Sequence, residues 1–188
     1  MTWLEISLMA VLPVVVIWLW HRHEEKVKEY EGLKLAVDRL RVNVDVFFSP
    51  DGGCAKAICA EIDQAHDVIL VMAYYLTSVE IISSLALAVT RDVKVSLITD
   101  DKGDNSANLE WLRKNAHEHW VDKRHAIMHN KVMVIDGRVV ITGSFNFTEN
   151  AEENNAENLL IIRSHRAADC YAGNWQTHKQ HSVPGKPA

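Results

Sequence analysis

The sequence predicts an α/β fold in which helices flank a mixed, mostly parallel β-sheet. Three observations carry this expectation. From residue 44 to residue 117, β-rich runs alternate with helical stretches of about ten to fifteen residues, the pattern of strands joined by crossover helices. The run DVILVMAYYL (67–76) is apolar almost throughout, as in a strand covered on both faces. The chain has 188 residues, 48% of them hydrophobic, which suits one packed domain and is short for two.

In chain order, the first element is the apolar run WLEISLMAVLPVVVIWLW (3–20), in which Glu5 is the one charge. As a helix it spans about 27 Å, close to the hydrocarbon thickness of a bilayer. Trp3, Trp18 and Trp20 stand at its ends, where indole rings favour the headgroup layer. Pro13, mid-run, is tolerated better in a membrane helix than in a soluble one. Residues 1–22 therefore read as an N-terminal transmembrane helix. The competing readings are a cleaved signal segment and a buried soluble helix. Against a signal, the flank MTWLE has no Lys or Arg and no small-residue cleavage site follows. Arg22, Lys26 and Lys28 follow the run, so charge bias leaves the rest of a single-pass, membrane-anchored chain in the cytoplasm; a signal segment would make it periplasmic or secreted.

Residues 23–41, with charged faces, read as a helical stalk, and 42–182 as the main domain. A strand is expected over 44–48, stopped by Ser49-Pro50-Asp51-Gly52-Gly53, then a helix over 54–66 and the buried strand over 67–76. Thr77 or Ser78 can cap a helix over 79–89. DVKVSLIT (92–99) is a strand, and ANLEWLRKNAH (107–117) a helix. In NKVMVIDGRVVITGS two β-rich runs flank Asp136-Gly137, a favoured two-residue hairpin turn. ENLLIIRS (157–164) is a further strand and 165–181 a closing helix; 183–188 is expected to be a disordered tail.

Composition excludes little. With 20 Lys+Arg against 25 Asp+Glu, the net charge of −5 argues against coating nucleic acid by bulk charge, but not against a local basic groove. Cys54, Cys59 and Cys170 are odd in number and lack zinc-type spacing, so neither a disulfide framework nor a zinc finger is indicated.

The chemistry concentrates between residues 129 and 157. On a strand, residues two apart share a face, so His129 and Lys131 project an imidazole and an ammonium together. Past the hairpin, Ser144 and Asn146 repeat that spacing with a hydroxyl and an amide. A nucleophile-capable imidazole, a fixed cation, a hydroxyl and an amide suit a phosphodiester: polar groups hold the nonbridging oxygens while the imidazole attacks phosphorus. Taken singly, each residue has a plainer reading, such as a polar strand residue for His129, a turn for Asp136-Gly137 and a helix cap for Asn146.

Together, H-x-K-x-x-x-x-D and the following G-S-x-N resemble the HKD motif of the phospholipase D superfamily. The match is strongest over 125–163 and extends more loosely back to FFSPDGG (47–53). With one motif per chain, the sequence is similar to the short branch that includes bacterial endonucleases and mitochondrial-anchored members. The resemblance implies a phospholipase D/nuclease-like fold and a metal-independent, two-step hydrolysis through a phosphohistidine on His129. It implies that Lys131, Ser144 and Asn146 bind phosphoryl oxygens and that Glu157 orients an imidazole. Gly143 and Asp136 belong to the motif structurally. Because the superfamily's active site uses two HKD histidines, it also implies a homodimer in which the two motifs form one site. No cofactor or metal is expected, and the cluster His117, His119, His125 and His129 lacks a typical zinc arrangement.

The substrate must be read from the surface. Arg113, Lys114, Lys123, Arg124 and Lys131, with Trp111 and Trp120 nearby, suit a nucleic-acid backbone and its bases, so an endonuclease-like hydrolase of DNA or RNA is the first expectation. Glu149, Glu152, Glu153 and Glu157 oppose a polyanion. The apolar N-terminus favours the alternative, a phospholipase D acting on phosphatidyl lipids or cardiolipin at a membrane. A non-catalytic anchored binding module is a remote third. The Ser49–Gly53 loop could cradle a phosphate on its amides, though a simple strand-to-helix turn is the first reading.

Overall fold

The structure, a computed structural model, describes residues 3–40, 42–102 and 107–185, with side chains over 15–37, 42–102 and 109–185. The chain divides into two units, Met1–Arg41 and Val42–Ala188. The first is one helix, α1 (Trp3–Leu40), so the expected anchor and stalk are continuous. Its apolar side chains from Val15 to Trp20 are exposed, and the Arg22 guanidinium lies 5.0 Å over the Trp18 ring. Among the described residues no helix is long and apolar enough to cross a membrane, so the transmembrane helix expected over 1–22 is not found there. Most of that segment, 1–14, lies outside the residues whose side chains are described.

The second unit contains β1 (Asn43–Ser49), α2 (Cys54–Asp63), β2 (Val68–Ala73), α3 (Val79–Thr90), β3 (Lys94–Asp100), α4 (Ala107–Asn115), β4 (Glu118–Asp122), β5 (Lys131–Ile135), β6 (Val139–Gly143), α5 (Glu149–Glu153), β7 (Glu157–Arg163), α6 (His165–His181) and β8 (Val183–Pro184). The strands form one sheet in the order β1-β7-β6-β5-β2-β3-β4-β8.

The sheet is mixed, as expected, but it is not mostly parallel. Only β2–β3 and β3–β4 pair in parallel; the other five neighbouring pairs are antiparallel. The reason lies in the connections. Parallel neighbours need a long crossover, and here only α3 and α4 provide one between adjacent strands. From Lys131 onward the strands return through a tight turn and a short helix, which makes antiparallel neighbours.

Ser78 caps α3, its Oγ accepting the Ile81 N–H at 3.4 Å, and Ser164 caps α6 in the same way through the Ala167 N–H at 3.3 Å. At the hairpin, Asp136 (φ 50) and Gly137 (φ 61) both take positive φ, and the Arg138 N–H closes the turn on the Ile135 carbonyl at 3.1 Å. The register pairs Ile135 with Val139, so three residues lie in the loop rather than two.

Alternation along the strands sorts the core between two faces. Met133, Ile135, Val71 and Leu97 pack with Ile58 and Ile62 of α2, Leu85 of α3 and Leu112 of α4. Val132, Val134, Met72 and Ile98 face the other way, onto Ala168 and Trp175 of α6. The buried Trp175 donates its Nε1–H to the Val71 carbonyl at 3.2 Å. Two strands escaped the sequence reading. EHWVD carries no clean apolar alternation, yet β3 and β8 hold it in the sheet as β4. The expected disordered tail contributes β8, and the Gly185 N–H reaches the His119 carbonyl at 2.8 Å. Residues 186–188 lie outside the described residues.

Candidate active site

Register brings the predicted residues to one end of the sheet. Ala73, closing β2, pairs with Lys131, opening β5; Val132 pairs with Thr142 of β6; Gly143, closing β6, pairs with Leu159 near the start of β7. His129 and Lys131, Ser144 and Asn146, and Glu157 thereby meet at the same end of neighbouring strands.

His129 precedes β5 rather than lying on it, and its imidazole is exposed. The Tyr74 ring packs edge-on against it at 5.0 Å between centroids. Lys131 is buried, 6% exposed, with Nζ donating to the His129 carbonyl at 2.8 Å and sitting 5.4 Å over the Tyr74 ring. Burial pushes the Lys131 ammonium below the usual lysine range, and the Glu157 carboxylate partly opposes this. An ammonium has three donors, so Lys131 retains two for a substrate.

Past β6, Phe145 and Phe147 are fully buried, and the alternation turns Ser144 and Asn146 away from that core. The Ser144 Oγ accepts from the Asn158 backbone N–H at 3.1 Å and from Asn158 Nδ2 at 3.3 Å. With its lone pairs used, the hydroxyl can only donate onward. Asn146 Oδ1 is buried and meets no hydrogen-bond donor, a state that cores avoid and binding sites retain. Glu157 is half-buried and accepts from Asn155 Nδ2 at 3.0 Å; among the described residues it makes no hydrogen bond to His129 of the same chain.

The result is an accessible imidazole beside a buried cation, a hydroxyl that can donate and an amide. Such a group suits attack on a phosphoryl centre whose nonbridging oxygens are already held. Residues 58–178 match the family model described as cardiolipin synthase, PLD-like domain.

The chain belongs to the phospholipase D superfamily. This phospholipase D-like chain is 38% identical over 156 residues to a protein named phospholipase D from Rickettsia felis, covering 82% of this chain and 76% of that one. It is 40% identical over 73 residues to the human mitochondrial cardiolipin hydrolase, covering 38% of this chain and 29% of the relative. Among solved structures it is similar to Nuc, a phospholipase D family member from Salmonella typhimurium. That match has a TM-score of 0.73 and 30% identity, covering 78% of this chain and 99% of Nuc. The phospholipase D-like chain is thus a phosphodiesterase of the hydrolase class.

Asp136 holds the phospholipase D-like fold together away from the substrate end. Its carboxylate accepts the backbone N–H groups of His66 and Asp67 at 2.9 Å and of Val68 at 3.0 Å, clamping the β5–β6 turn to the start of β2. Burial alone would raise its pKa, but the three N–H donors hold it below the usual carboxylate range. Asp136→Ala is expected to cost about 2 kcal/mol, discounted for partial exposure. A group with a depressed folded pKa contributes stability above its unfolded pKa and loses it as pH falls through the folded value. The gap between wild type and variant in urea melts should therefore be full at neutral pH and narrow as pH falls below the ordinary aspartate value of about 4. A gap that widens in acid would contradict the clamp.

Other surroundings were illegible in the sequence. Glu152 uses its carboxylate on the N–H groups of Gly53 (2.9 Å) and Ala55 (2.8 Å), which fills the possible phosphate cradle at the start of α2. It is therefore a cap and not a free acid facing substrate. The basic stretch is likewise partly spent: Lys114 pairs with Glu110, and Lys123 with Asp101. Trp120 donates to Glu118 and lies under the Lys179 ammonium at 5.1 Å, so it is no open stacking platform. The four histidines grouped by the sequence do not assemble. His119 bonds Thr99 at 2.9 Å, and burial pushes its pKa down to about 4, with Arg113 adding to the effect. Tyr74, just past β2, and Asn158 of β7 also build the site, and neither stands in the motif, so the sequence reading did not single them out.

Proposed function

We propose that this chain hydrolyses phosphodiester bonds of DNA or RNA without a catalytic metal, through a phosphohistidine on His129. The imidazole attacks phosphorus, a P–N bond forms, and the bond to the leaving oxygen breaks as that oxygen takes a proton from a second imidazole. Water then attacks the phosphohistidine, giving its proton to the second imidazole as the P–N bond breaks. Lys131, Ser144 and Asn146 hold the nonbridging oxygens, and Glu157 orients an imidazole. One chain supplies one such histidine, so the second is the partner subunit's His129 in a homodimer with the two motifs facing across a two-fold axis.

The observation that carries the nucleic-acid reading is the aromatic border of the site. Tyr74 packs against His129, and Tyr75, 4.2 Å from Tyr74 between ring centroids, is exposed beside it, a surface suited to base stacking. A phospholipid substrate is the second reading. It is supported by the Rickettsia relatives named phospholipase D and by the exposed Val15, Ile17, Trp18 and Trp20 of α1, which could tether the chain to a membrane.

The test is a parallel assay on single-stranded DNA, plasmid, RNA and phosphatidyl-lipid micelles. It is run without added divalent ions and again in EDTA, well below the melting midpoint. Cleavage of nucleic acid in both conditions is expected. Release of phosphatidic acid with no nucleic-acid cleavage would replace this reading with the lipid one.

A further inference from the structure

The C-terminal end of the last helix, the end of β4 and the β4–β5 loop meet in a polar cluster that the phosphodiesterase chemistry does not use. Asp122 closes β4, and its side chain is fully buried. Three imidazole nitrogens converge on its Oδ2: His125 Nδ1 at 2.9 Å, His178 Nδ1 at 3.1 Å and His181 Nε2 at 3.2 Å. A carboxylate oxygen offers about two lone pairs, so three donors oversubscribe it. The other oxygen, Oδ1, is occupied by the N–H groups of Arg124 (2.9 Å) and His125 (3.3 Å), which fixes the carboxylate with Oδ2 turned to the imidazoles. His178 and His181, one helical turn apart, present to the same side of α6, and the three rings lie 5.1–5.2 Å apart between centroids.

We propose that Asp122, His125, His178 and His181 form a structural site for a divalent transition ion, Zn2+ in the first instance. The four candidate ligand atoms all lie within 4.8 Å of one another. Tetrahedral zinc with arms of about 2.0–2.2 Å needs its ligands roughly 3.3–3.6 Å apart, so the imidazole nitrogens draw together by at most about 1.5 Å while the Asp122 Oδ2 contacts of 2.9–3.2 Å open slightly to seat the ion. Three neutral imidazoles and one carboxylate match zinc in ligand type, and four protein ligands make a closed site, which is the structural kind. The charge argument agrees: a buried carboxylate whose ion-pair partners are all imidazoles gains a full counter-charge from the ion. Backbone hydrogen bonds to Oδ1 provide the outer-shell orientation that such ligands need.

The site would fasten the C-terminal helix to the loop that carries His129, since His125 lies four residues before it. It would also pin β8, which follows α6 and pairs with β4. The ion takes no part in phosphoryl transfer, so this inference stands or falls apart from the proposed reaction. The sequence held a signal in the spacings D-x-x-H (122–125) and H-x-x-H (178–181), but the two halves are more than fifty residues apart and neither is specific alone.

The experiment is metal titration of the whole chain after chelation and dialysis, read by competition with a chromophoric chelator and by the visible spectrum of bound Co2+. One equivalent per chain is expected, with the intense bands of four-coordinate Co2+ that Zn2+ displaces, and a melting midpoint that rises with Zn2+. His178→Ala should weaken binding by more than about 100-fold. His125→Ala, which removes an exposed loop side chain and leaves the helix intact, should do the same and abolish the Zn2+-dependent rise in melting. His129→Ala should bind as wild type does. Absence of Zn2+ binding at micromolar concentration, binding indifferent to His125→Ala, or loss of binding in His129→Ala would each overturn the site.

Discussion

His129→Ala is expected to reduce turnover by about ten-thousand-fold or more while moving the melting midpoint by less than about 2 °C. The imidazole is exposed at the end of the sheet, so truncating it opens no core cavity. Its loss also leaves the Lys131 ammonium bonded to the same backbone carbonyl, which the substitution keeps. A loss of activity without a loss of fold is therefore the signature of a reacting group. The same variant tests the shared site. If two copies of His129 serve one reaction centre, a dimer carrying one wild-type and one variant chain is inactive. Co-refolding equal amounts should then leave about a quarter of the activity, where independent sites would leave about half. Phosphoryl label retained by the variant, or a linear mixing curve, would remove His129 from its role or the second copy from the site.

Gly143→Ala is expected to cost about 3 kcal/mol or more and to lower the melting midpoint by about 10 °C. Gly143 has φ 150, a conformation L side chains rarely adopt, and a Cβ built there would stand 2.2 Å from the Asn158 carbonyl oxygen. That oxygen accepts the N–H groups of Ser144 (3.1 Å) and Phe145 (3.2 Å). Relieving the overlap separates β6 from β7 where the loop carrying Ser144 and Asn146 begins, so activity should fall together with stability. Gly137→Ala is the contrast. Gly137 also has positive φ (61), but nothing lies within 4 Å of its would-be Cβ, and a loss of about 1 kcal/mol with full activity is expected. Equal effects at the two glycines would show that close approach at Gly143 is not what matters.

What is legible in the chain follows the range of the interactions. Local signals were readable: Ser78 as a cap, Asp136-Gly137 as a turn, DVILVMAYYL as a buried strand. The motif residues were readable as a group because their joint spacing resembles the family motif, although His129 precedes β5 and Ser144 and Asn146 follow β6. What failed were properties set by partners distant in sequence. β4 and β8 are strands only because neighbours complete their hydrogen bonds, and the predominance of antiparallel pairs follows from which strands end up adjacent. Glu152, by sequence a free acid, caps α2 about one hundred residues earlier in the chain.

The chemistry, then, is written in the chain itself: a histidine, a lysine, a serine and an asparagine at spacings that name a phosphodiesterase. The single motif, through its resemblance to the family, gives the expectation of an active site completed by a second copy. Tertiary structure decided how these groups are held, with Lys131 buried against Tyr74, Ser144 turned into a donor by Asn158 and Asn146 left with an unpaired buried oxygen. It also brought Asp122 and His125 together with His178 and His181. The reason is physical: side-chain type and spacing are properties of sequence, whereas burial, hydrogen-bond partners and convergence across the sheet exist only once register has set which strands are neighbours.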